Sequence, residues 1–493
     1  MRERYSPGEA TAMLRRWCAV PSPDRLSALD AAVLDIETAR APMHVGWTLR
    51  FDGPAPSLAE LRRHVDSRLG AVPRFRRRVV AAPAGLGDLR WVDDAGFDIA
   101  RHVHSMALGS PSGDAQLRDL VGVLLSTPLD PRRPLWRLNL VTAVGPRGGF
   151  ALVGQAHHAL VDGLAALEVA LLLLDPAGSV PRRDAAADTW IAQPDAGPMR
   201  AAGAAASMRL GGGADLAQAL LRAAALGAGP ARSAAALLTS LAGQTPKTSL
   251  DQSLTRERRV AFADIPLRAL RDGTRRHGAT INDGLLAAAT LAVGAALRRR
   301  GEHHESVRAV VPASVRHAGE HAADHGNRIS FLAVDLPVGE RDPAAVLRIV
   351  RARTRSRKLS GEAGAGDALL RAADLLPGAG RRQIARTAAR AANFTVIVSN
   401  VPGPESGLEL LGCRLVAAYP AVPLLDGHGL TIGALSHAGT LHAGVFADAV
   451  VVPDATRLGR DLGAALREIA ALPAAADTPW RARARERRRR DVA

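Results

Sequence analysis

The stretch His157-His158-Ala159-Leu160-Val161-Asp162-Gly163 places two imidazoles side by side and follows them with a carboxylate and a glycine. Histidine titrates close to neutral pH, so a neutral ring can take a proton from a hydroxyl and return it within one reaction. Asp162 is positioned to brace the corner, and Gly163 permits close approach of the backbone. The stretch therefore predicts a proton-transfer site with His158 as the base.

The flanking residues predict that this stretch occupies a strand–loop–helix corner. Two apolar segments, 137–144 and 150–156, are separated by the turn sequence Gly-Pro-Arg-Gly-Gly and predict neighbouring strands, the second of which ends at the histidines. The apolar run 164–174 then predicts a helix. Asp162 precedes that run, so a plain helix N-cap is an alternative role for it.

The histidines have two other interpretations. Adjacent histidines can bind a metal ion, but their side chains diverge on an extended strand and no third ligand follows at a familiar spacing. The sequence therefore predicts no metal site. His157 taken alone is interpreted as a satisfied structural histidine, whereas His158 is interpreted as the functional one.

Length and charge restrict the class of protein. A chain of 493 residues exceeds what one hydrophobic core usually serves, which predicts two domains. The net charge of +16 is carried almost wholly by arginine, since only Lys247 and Lys358 are lysines. Aromatic residues make up 3% of the chain, and no zinc-finger spacing is present, so nucleic-acid binding is not predicted. The basic balance favours anionic partners such as phosphate-bearing co-substrates or an anionic membrane surface.

Targeting signals are not apparent in the sequence. The N-terminus lacks the layout of a secretory signal, and the apolar run 164–174 is too short to span a bilayer. Cys18 and Cys413 lie far apart and predict neither a disulfide framework nor a metal site. We expect a cytoplasmic protein that contacts the inner membrane face or lipid droplets peripherally. The range 481–490 holds seven arginines, which predicts either a solvated tail or an electrostatic tether.

Composition divides the chain into four parts. Residues 1–177 form a first half that contains the histidines, and residues 178–257 form an Ala/Gly/Pro-rich connection, partly helical. Residues 258–472 form a second half, and residues 473–493 an Arg-rich tail, predicted to be disordered. Local patterns predict helices at 57–69, 267–277 and 284–300 and strands at 260–263, 395–398 and 441–446.

Short motifs outside the histidine stretch occur in a characteristic order. They are Leu26-Ser27-Ala28-Leu29-Asp30, Pro42-Met43-His44-Val45-Gly46, Pro134-Leu135-Trp136, Asn282-Asp283, Val311-Pro312-Ala313-Ser314-Val315-Arg316, Gly326-Asn327-Arg328, Ser399-Asn400-Val401-Pro402-Gly403-Pro404, Tyr419-Pro420, Ala447-Asp448 and Val452-Pro453-Asp454. With His-His-x-x-x-Asp-Gly, this ordered set resembles the bacterial wax ester synthase/acyl-CoA:diacylglycerol acyltransferases, a group of the CoA-dependent acyltransferases.

The resemblance implies a fold and an activity. The expected fold class is α/β (α+β), with two similar halves, each a mixed sheet with flanking helices, facing each other across a channel. The expected reaction transfers a long-chain acyl group from acyl-CoA, the co-substrate, to diacylglycerol or a long-chain alcohol, with no bound cofactor. His158 is then the base and His157 its neighbour. The remaining matched residues would shape the site or the acyl pocket, with domain packing as the alternative: Pro134, Leu135, Trp136, Asn282 and Asp283.

The sequence departs from the family pattern at two places. His437 stands where the family often shows tyrosine, and Tyr419 stands before Pro420 where a serine is usual. Both departures bear on acceptor preference. Two other functions remain open: an amide-forming or carrier-dependent condensation enzyme, and a lipid-binding paralogue without turnover.

Overall fold

The computed structural model describes residues 26–81, 89–110, 112–145, 148–161, 172–179, 190–193, 195, 245–314, 329–359, 383, 385–387, 389 and 392–474. The strands in these ranges are β1 (His44–Phe51), β2 (Arg77–Val80), β3 (Arg90–Asp93), β4 (Val103–Ala107), β5 (Trp136–Val144), β6 (Gly149–His157), β7 (Asp175–Pro176), β8 (Arg258–Pro266), β9 (Val307–Ser314), β10 (Ile329–Leu336), β11 (Val396–Pro402), β12 (Leu408–Leu410), β13 (Cys413–Ala421), β14 (Leu430–His437) and β15 (Thr440–Asp448). The α-helices are α1 (Ala28–Ile36), α2 (Leu58–Leu69), α3 (Asp114–Ser126), α4 (Leu267–Arg276), α5 (Ile281–Arg299), α6 (Pro343–Leu359) and α7 (Ala455–Ala470).

The strand that ends at His157 lies inside the first of two large sheets. This sheet has the order β4-β5-β6-β1-β13-β12-β7, in which β4 and β5 are parallel and the other neighbours antiparallel. Leu49 and Phe51 of β1 pair with Leu152 and Phe150 of β6, which makes one face of the sheet apolar. That face packs in one core with α2.

The second sheet has the order β10-β9-β11-β14-β15-β8 and mixes parallel and antiparallel pairs. Its core lies against α4, α5, α6 and α7. The Ala-rich helix α5 is long and apolar enough to cross a membrane by length and composition, but most of it is buried within the protein. The described residues thus form two sheet-and-helix bodies of mixed α/β type, as expected from the sequence.

The second half of the chain contributes strands to the first sheet. Strands β12 and β13 belong to the part of the chain after residue 258, which was predicted to form the second half. Nevertheless, β13 pairs with β1 and so extends the first sheet. This pairing covers the backbone edge of β1, which would otherwise expose unpaired N–H and C=O groups. Most of the 178–257 connection and nearly all of the 473–493 tail lie outside the described residues, so the predicted division of the chain stays a prediction.

Helix α3 of the first body packs against β8 of the second. Gly122 of α3 makes this approach close, since a Cβ atom there would lie 2.5 Å from the backbone oxygen of Arg258. Arg258 in turn forms a buried ion pair with Asp448 (3.1 Å) and donates to the carbonyl of Arg40. Because Arg40 belongs to the first body, the hydrogen bond from Arg258 links β8 to that body.

Local sequence patterns agree with most elements. Ser57 forms a capping box with Glu60 at the start of α2, and the predicted hairpin before the histidines is formed by β5 and β6. One predicted strand was too short: the strand predicted at 395–398 is β11, which extends to Pro402. Pro402 lacks an N–H but is accommodated because β9 pairs only with the first two residues of β11. The helix predicted at 164–174 lies outside the described residues except at its end.

Candidate active site

The histidine pair sits where β6 leaves the first sheet. His157 is paired with His44 of β1, and the N–H of His158 donates to the carbonyl of Met43 (2.8 Å), which continues the ladder by one residue. On the other side, the N–H of His157 donates to the carbonyl of Leu135 (2.9 Å). The backbone of the pair is therefore held from both neighbouring segments.

The ring of His157 is buried and turned toward protein groups. Its Nδ1 accepts the N–H of Ala159 (3.0 Å), so in the neutral ring the proton belongs on Nε2. That Nε2 lies 3.4 Å from Oε2 of Glu37. Nδ1 of His157 is thus occupied by a backbone donor, and Nε2 faces the carboxylate of Glu37.

Glu37 bridges two histidines behind the site. Its Oε1 accepts the N–H of Met43 (3.1 Å) and lies 3.5 Å from Nε2 of His44, whose ring meets that of His157 edge to face. Burial alone would raise the pKa of the Glu37 carboxyl, but His157, His44 and the Met43 N–H outweigh it and hold the pKa below its usual value. Burial, reinforced by His157, lowers the pKa of His44 to about 3, so His44 is neutral at physiological pH.

His158 comes directly after the end of β6, and strand alternation continued by one residue predicts the face opposite His157 for its side chain. Successive residues on a strand alternate between faces. By this rule His158 shares a face with Ala156 and its partner Val45, whereas His157 shares a face with its partner His44. His158 is only half-buried. Of the two neighbouring histidines, His158 is thus the more exposed one.

An apolar cavity of about 90 Å³ lies between the two sheets on the side of Val45. Val45, Trp47 and Leu49 line it from β1, and Leu435 and His437 line it from β14. The Trp47 ring occupies the space above Gly154, where a Cβ atom would approach it to 2.2 Å. Val45, a residue of the cavity lining, lies two residues after Met43. The carbonyl of Met43 accepts the N–H of His158.

The segment Pro134-Leu135-Trp136 supports the histidine corner from behind. The Leu135 carbonyl accepts the His157 N–H, and the indole N–H of Trp136 donates to the carbonyl of Phe75 (2.7 Å). The Trp136 ring also stacks on His102 at 4.6 Å and is almost fully buried. Trp136 also borders a small apolar cavity of about 20 Å³ beside Trp47.

Asn282 and Asp283 begin α5 in the second body. The Asp283 carboxylate accepts the N–H of Thr280 (2.8 Å) in a capping box and the hydroxyl of Thr354 on α6 (2.6 Å). The side chain is buried, and these bonds use both of its oxygens. Its observed bonds join two helices and involve none of the histidines.

Two of the residues assigned from sequence, Asp162 and Gly163, lie outside the described residues, so their roles stay predictions. In the described ranges, no group of three or more His, Cys, Asp or Glu side chains is arranged to hold a metal ion.

Sequence reasoning missed Glu37 and His44 as members of the site. His44 belongs to a recognised motif, but its contact with His157 depends on the pairing of β1 with β6, which the local pattern does not reveal. Glu37 follows the end of α1, and no spacing relates it to the histidines. An expectation that β1 and β6 are neighbours would have placed His44 opposite the pair.

Comparison with known families covers most of the chain. The sequence profile of the wax ester synthase/diacylglycerol acyltransferase catalytic domain matches residues 26–285, and that of the corresponding C-terminal domain matches residues 325–470. A probable diacylglycerol O-acyltransferase of Mycobacterium tuberculosis is 31% identical over 458 residues, which are 91% of this chain and 96% of the relative. A putative diacylglycerol O-acyltransferase of Mycobacterium bovis matches equally well.

Solved structures show the same fold. The wax ester synthase/diacylglycerol acyltransferase from Marinobacter aquaeolei VT8 aligns with a TM-score of 0.65 at 23% identity, over 91% of this chain and all of that one. The first condensation domain of the calcium-dependent antibiotic synthetase aligns with a TM-score of 0.58 at 18% identity, over 92% and 98% of the two chains. At these identities, the alignments establish the two-body architecture.

Proposed function

The chain belongs to the wax ester synthase/diacylglycerol acyltransferase family, and from that premise we propose that it transfers a long-chain acyl group from acyl-CoA to the hydroxyl of diacylglycerol and of long-chain alcohols. The observation that carries the proposal is the half-buried His158, whose N–H donates to the carbonyl of Met43, two residues before Val45 at the apolar cavity. A proton-transfer group next to an apolar space suits a lipid hydroxyl.

In the proposed mechanism His158 acts as general base. A ring nitrogen removes the acceptor hydroxyl proton as the oxygen attacks the thioester carbonyl, and a tetrahedral intermediate forms. When this intermediate collapses, the carbon–sulfur bond breaks, and the imidazolium returns the proton to the CoA thiolate. The products are an ester and free CoA, and no covalent enzyme intermediate is required.

A direct assay tests this function. Purified protein with labelled acyl-CoA and diacylglycerol is expected to form triacylglycerol, and His158→Ala is expected to lower kcat by about 10²- to 10⁴-fold, the usual contribution of a general base. The matched control is His303→Ala, because His303 is an exposed histidine in the turn after α5. A His158→Ala variant that folds and retains full turnover would contradict the role of His158.

Two other functions are outcomes of the same assay. Exclusive use of amines or carrier-bound acyl groups would indicate a condensation-type enzyme, whose fold this chain shares. Lipid binding without product from any acyl-CoA would indicate a non-catalytic paralogue. Either result would overturn the proposed transfer to hydroxyl groups.

We further propose that the protein works at the inner membrane face or at lipid droplets, with acyl-CoA as co-substrate and no bound cofactor. The net charge of +16 and the seven arginines in 481–490 support attraction to anionic lipid, worth about 1 kcal/mol for each basic residue near the surface. Removal of residues 481–493 should weaken flotation with anionic vesicles at low salt. Undiminished flotation would rule out the tail as a tether.

A further inference from the structure

Trp47 of β1 borders two separate apolar cavities. It lines the cavity of about 90 Å³ between the sheets and also the cavity of about 20 Å³ inside the first body. Pro420 of β13 and Leu435 of β14 belong to the lining of the larger cavity. Leu69 of α2 and Leu138 of β5 belong to the lining of the smaller one. A side chain that contacts both spaces is in a position to separate them.

The strand register gives the order of these residues across the first sheet. Trp47 pairs with Pro420 of β13 on one side and with Gly154 of β6 on the other. Gly154 in turn pairs with Leu138 of β5. Directly paired residues share a face of the sheet, so the four positions form one row on one face. The row begins at the larger cavity and ends at the smaller one, and Trp47 and Gly154 lie between the cavities.

The indole of Trp47 extends from β1 over β6. A Cβ atom at Gly154 would lie 2.2, 2.3 and 2.4 Å from Cε2, Cζ2 and Nε1 of the indole, so the ring lies directly on the glycine backbone. On the same face, β6 carries Ala156 and Leu152 on either side of Gly154. The glycine leaves a gap between these two side chains, and the indole fills it. The ring therefore occupies the row between the two cavities.

This face of the sheet is also the one that strand alternation predicts for His158. Gly154 and Ala156 precede His158 at intervals of two residues. Val45, the partner of Ala156, lines the larger cavity together with Trp47. On the proposed function, a lipid chain whose reacting end lies at His158 extends along this face into the larger cavity.

From these observations, and resting on the proposed acyltransferase function, we propose that Trp47 is a specificity-determining residue that limits the length of the aliphatic chain in the larger cavity. The indole is the wall that the distal end of the chain reaches, and it closes the smaller cavity to the chain. The chain belongs either to the acyl donor or to the alcohol acceptor, since both present the same methylene groups.

The hydrophobic effect gives the expected dependence on chain length. Each methylene group that enters an apolar cavity strengthens binding by about fourfold. The gain ends at the carbon that reaches the indole, because a further methylene requires the ring to move within a close-packed interior. In Trp47→Ala the two cavities are joined, so the gain should continue for at least about two more carbons.

The test measures kcat/KM over a series of chain lengths. One arm uses saturated acyl-CoA substrates of roughly 8 to 22 carbons with one acceptor, and the other uses primary alcohols of the same lengths with one donor. In Trp47→Ala, the optimum of at least one arm should move to chains about two or more carbons longer. The preference for the longer chain over the wild-type optimum should rise by at least about tenfold. Unchanged optima in both arms would overturn the proposal.

The arm whose optimum moves identifies the chain that meets the indole. Trp47→Leu keeps more of the packing, should shift the same optimum by a smaller amount, and provides the test if Trp47→Ala fails to fold. The matched control is Trp91→Leu, because Trp91 is a buried tryptophan of the same core that lines neither cavity. Its optimum should equal that of the wild type. An equal shift in Trp91→Leu would mean that a loosened core causes the change, which contradicts the role of Trp47.

Leu138→Ala enlarges the smaller cavity from its far side. In the protein with Trp47 intact, this change should leave the chain-length optimum where it is, because the chain does not pass the indole. Combined with Trp47→Leu, it should lengthen the optimum further, by about one or two carbons, so the two substitutions are not additive. A shift caused by Leu138→Ala alone would show that the chain already passes Trp47.

A binding measurement separates this proposal from the proposed function. If the wild-type protein forms no ester, the proposed function fails, but calorimetry with S-alkyl-CoA thioethers and free alcohols still locates the carbon at which the gain per methylene ends. In Trp47→Ala, Kd should continue to fall beyond that carbon, by about tenfold over two more carbons. The same length dependence in both proteins, or no binding of any chain, contradicts the proposal.

Discussion

At the scale of single residues, the Glu37 carboxylate connects the two segments that carry the histidine pair. Glu37 receives the N–H of Met43, and the carbonyl of Met43 receives the N–H of His158. Glu37 also faces the ring of His157. One side chain therefore contacts both segments that hold the proposed general base, and on that proposal Glu37 is a positioning residue.

We expect Glu37→Ala to lower kcat by about 10- to 100-fold with little change in KM, because a displacement of about 1 Å at the reacting group costs that much. Glu37→Gln should recover much of the loss, since its amide oxygen still accepts the Met43 N–H. Steady-state kinetics on both variants gives the comparison. A Glu37→Ala variant with wild-type kcat would show that Glu37 does not position His158.

At the scale of elements, the Asn282-Asp283 motif has a structural explanation. The capping box at Thr280 satisfies backbone donors at the start of α5, and the bond to Thr354 fastens α5 to α6. Helix α5 is the most deeply buried helix of the second body. Loss of its N-terminal cap should therefore affect the stability of that body.

Asp283→Ala is expected to lower the free energy of unfolding by about 2 kcal/mol, from the lost cap and the lost bond to Thr354. KM for acyl-CoA should remain within about threefold of wild type. Urea unfolding and steady-state kinetics measure the two quantities. Thr354→Val removes only the bond between the helices, and a double-mutant cycle should give a coupling of about 1 kcal/mol. A higher KM with unchanged stability would instead place Asp283 at the acyl pocket.

At the scale of the whole molecule, the two sheets meet along β13. Gly433 and Gly444 are paired on β14 and β15, and both lie under Pro420. A Cβ atom at Gly444 would lie 2.2 Å from the Pro420 backbone oxygen, whereas one at Gly433 would lie 3.1 Å from side-chain atoms. The close contact at Gly444 therefore limits how near the sheets approach.

The paired glycines provide a matched test of that contact. Gly444→Ala should lower the free energy of unfolding by about 3 kcal/mol, because the backbone of β13 has to move, whereas Gly433→Ala should cost about 1 kcal/mol or less. Urea unfolding of both variants measures the difference. Similar losses at the two positions would mean that β13 is free to shift.

Buried histidines in both bodies make stability depend on pH. Burial lowers the pKa of His44 to about 3 and those of His428 and His437 to about 4. Near pH 5 the unfolded chain, with histidine pKa values of about 6.5, binds more protons than the native protein. Stability should therefore fall as the pH decreases from about 6.5 to 4, by up to about 1.4 kcal/mol per pH unit for each histidine.

Urea unfolding between pH 4 and 8 measures this dependence. His428→Gln should lower the slope of unfolding free energy against pH by up to about 1.4 kcal/mol per pH unit, which corresponds to one proton. His428 suits this test because it packs against Phe394, away from the histidine corner. The nearby Asp251 acts in the opposite sense, since burial raises the pKa of its carboxyl, and so offsets part of the effect. A free energy of unfolding that stays constant over this range would show that the native protein does not hold these histidines in their neutral form.

Much of the local structure follows from short stretches of sequence. Alternating apolar residues, turn residues and helix caps within about twenty residues predict three features of this protein. These are the β5–β6 hairpin, the capped helix α2 and the corner at His157 and His158. These signals arise from backbone hydrogen bonds and side-chain spacing along one segment. The sequence by itself therefore determined the local elements and the candidate base, and the ordered motifs determined the family.

Tertiary structure alone decided which distant segments meet. Three contacts join residues that are remote in sequence. They are the pairing of β13 with β1, the contact of Glu37 and His44 with His157, and the hydrogen bond between Asp264 and His442. Such pairings are selected by total burial and by satisfaction of strand edges over the whole chain, which no local period records. The apolar cavity exists only because β1 of the first sheet and β14 of the second close on each other.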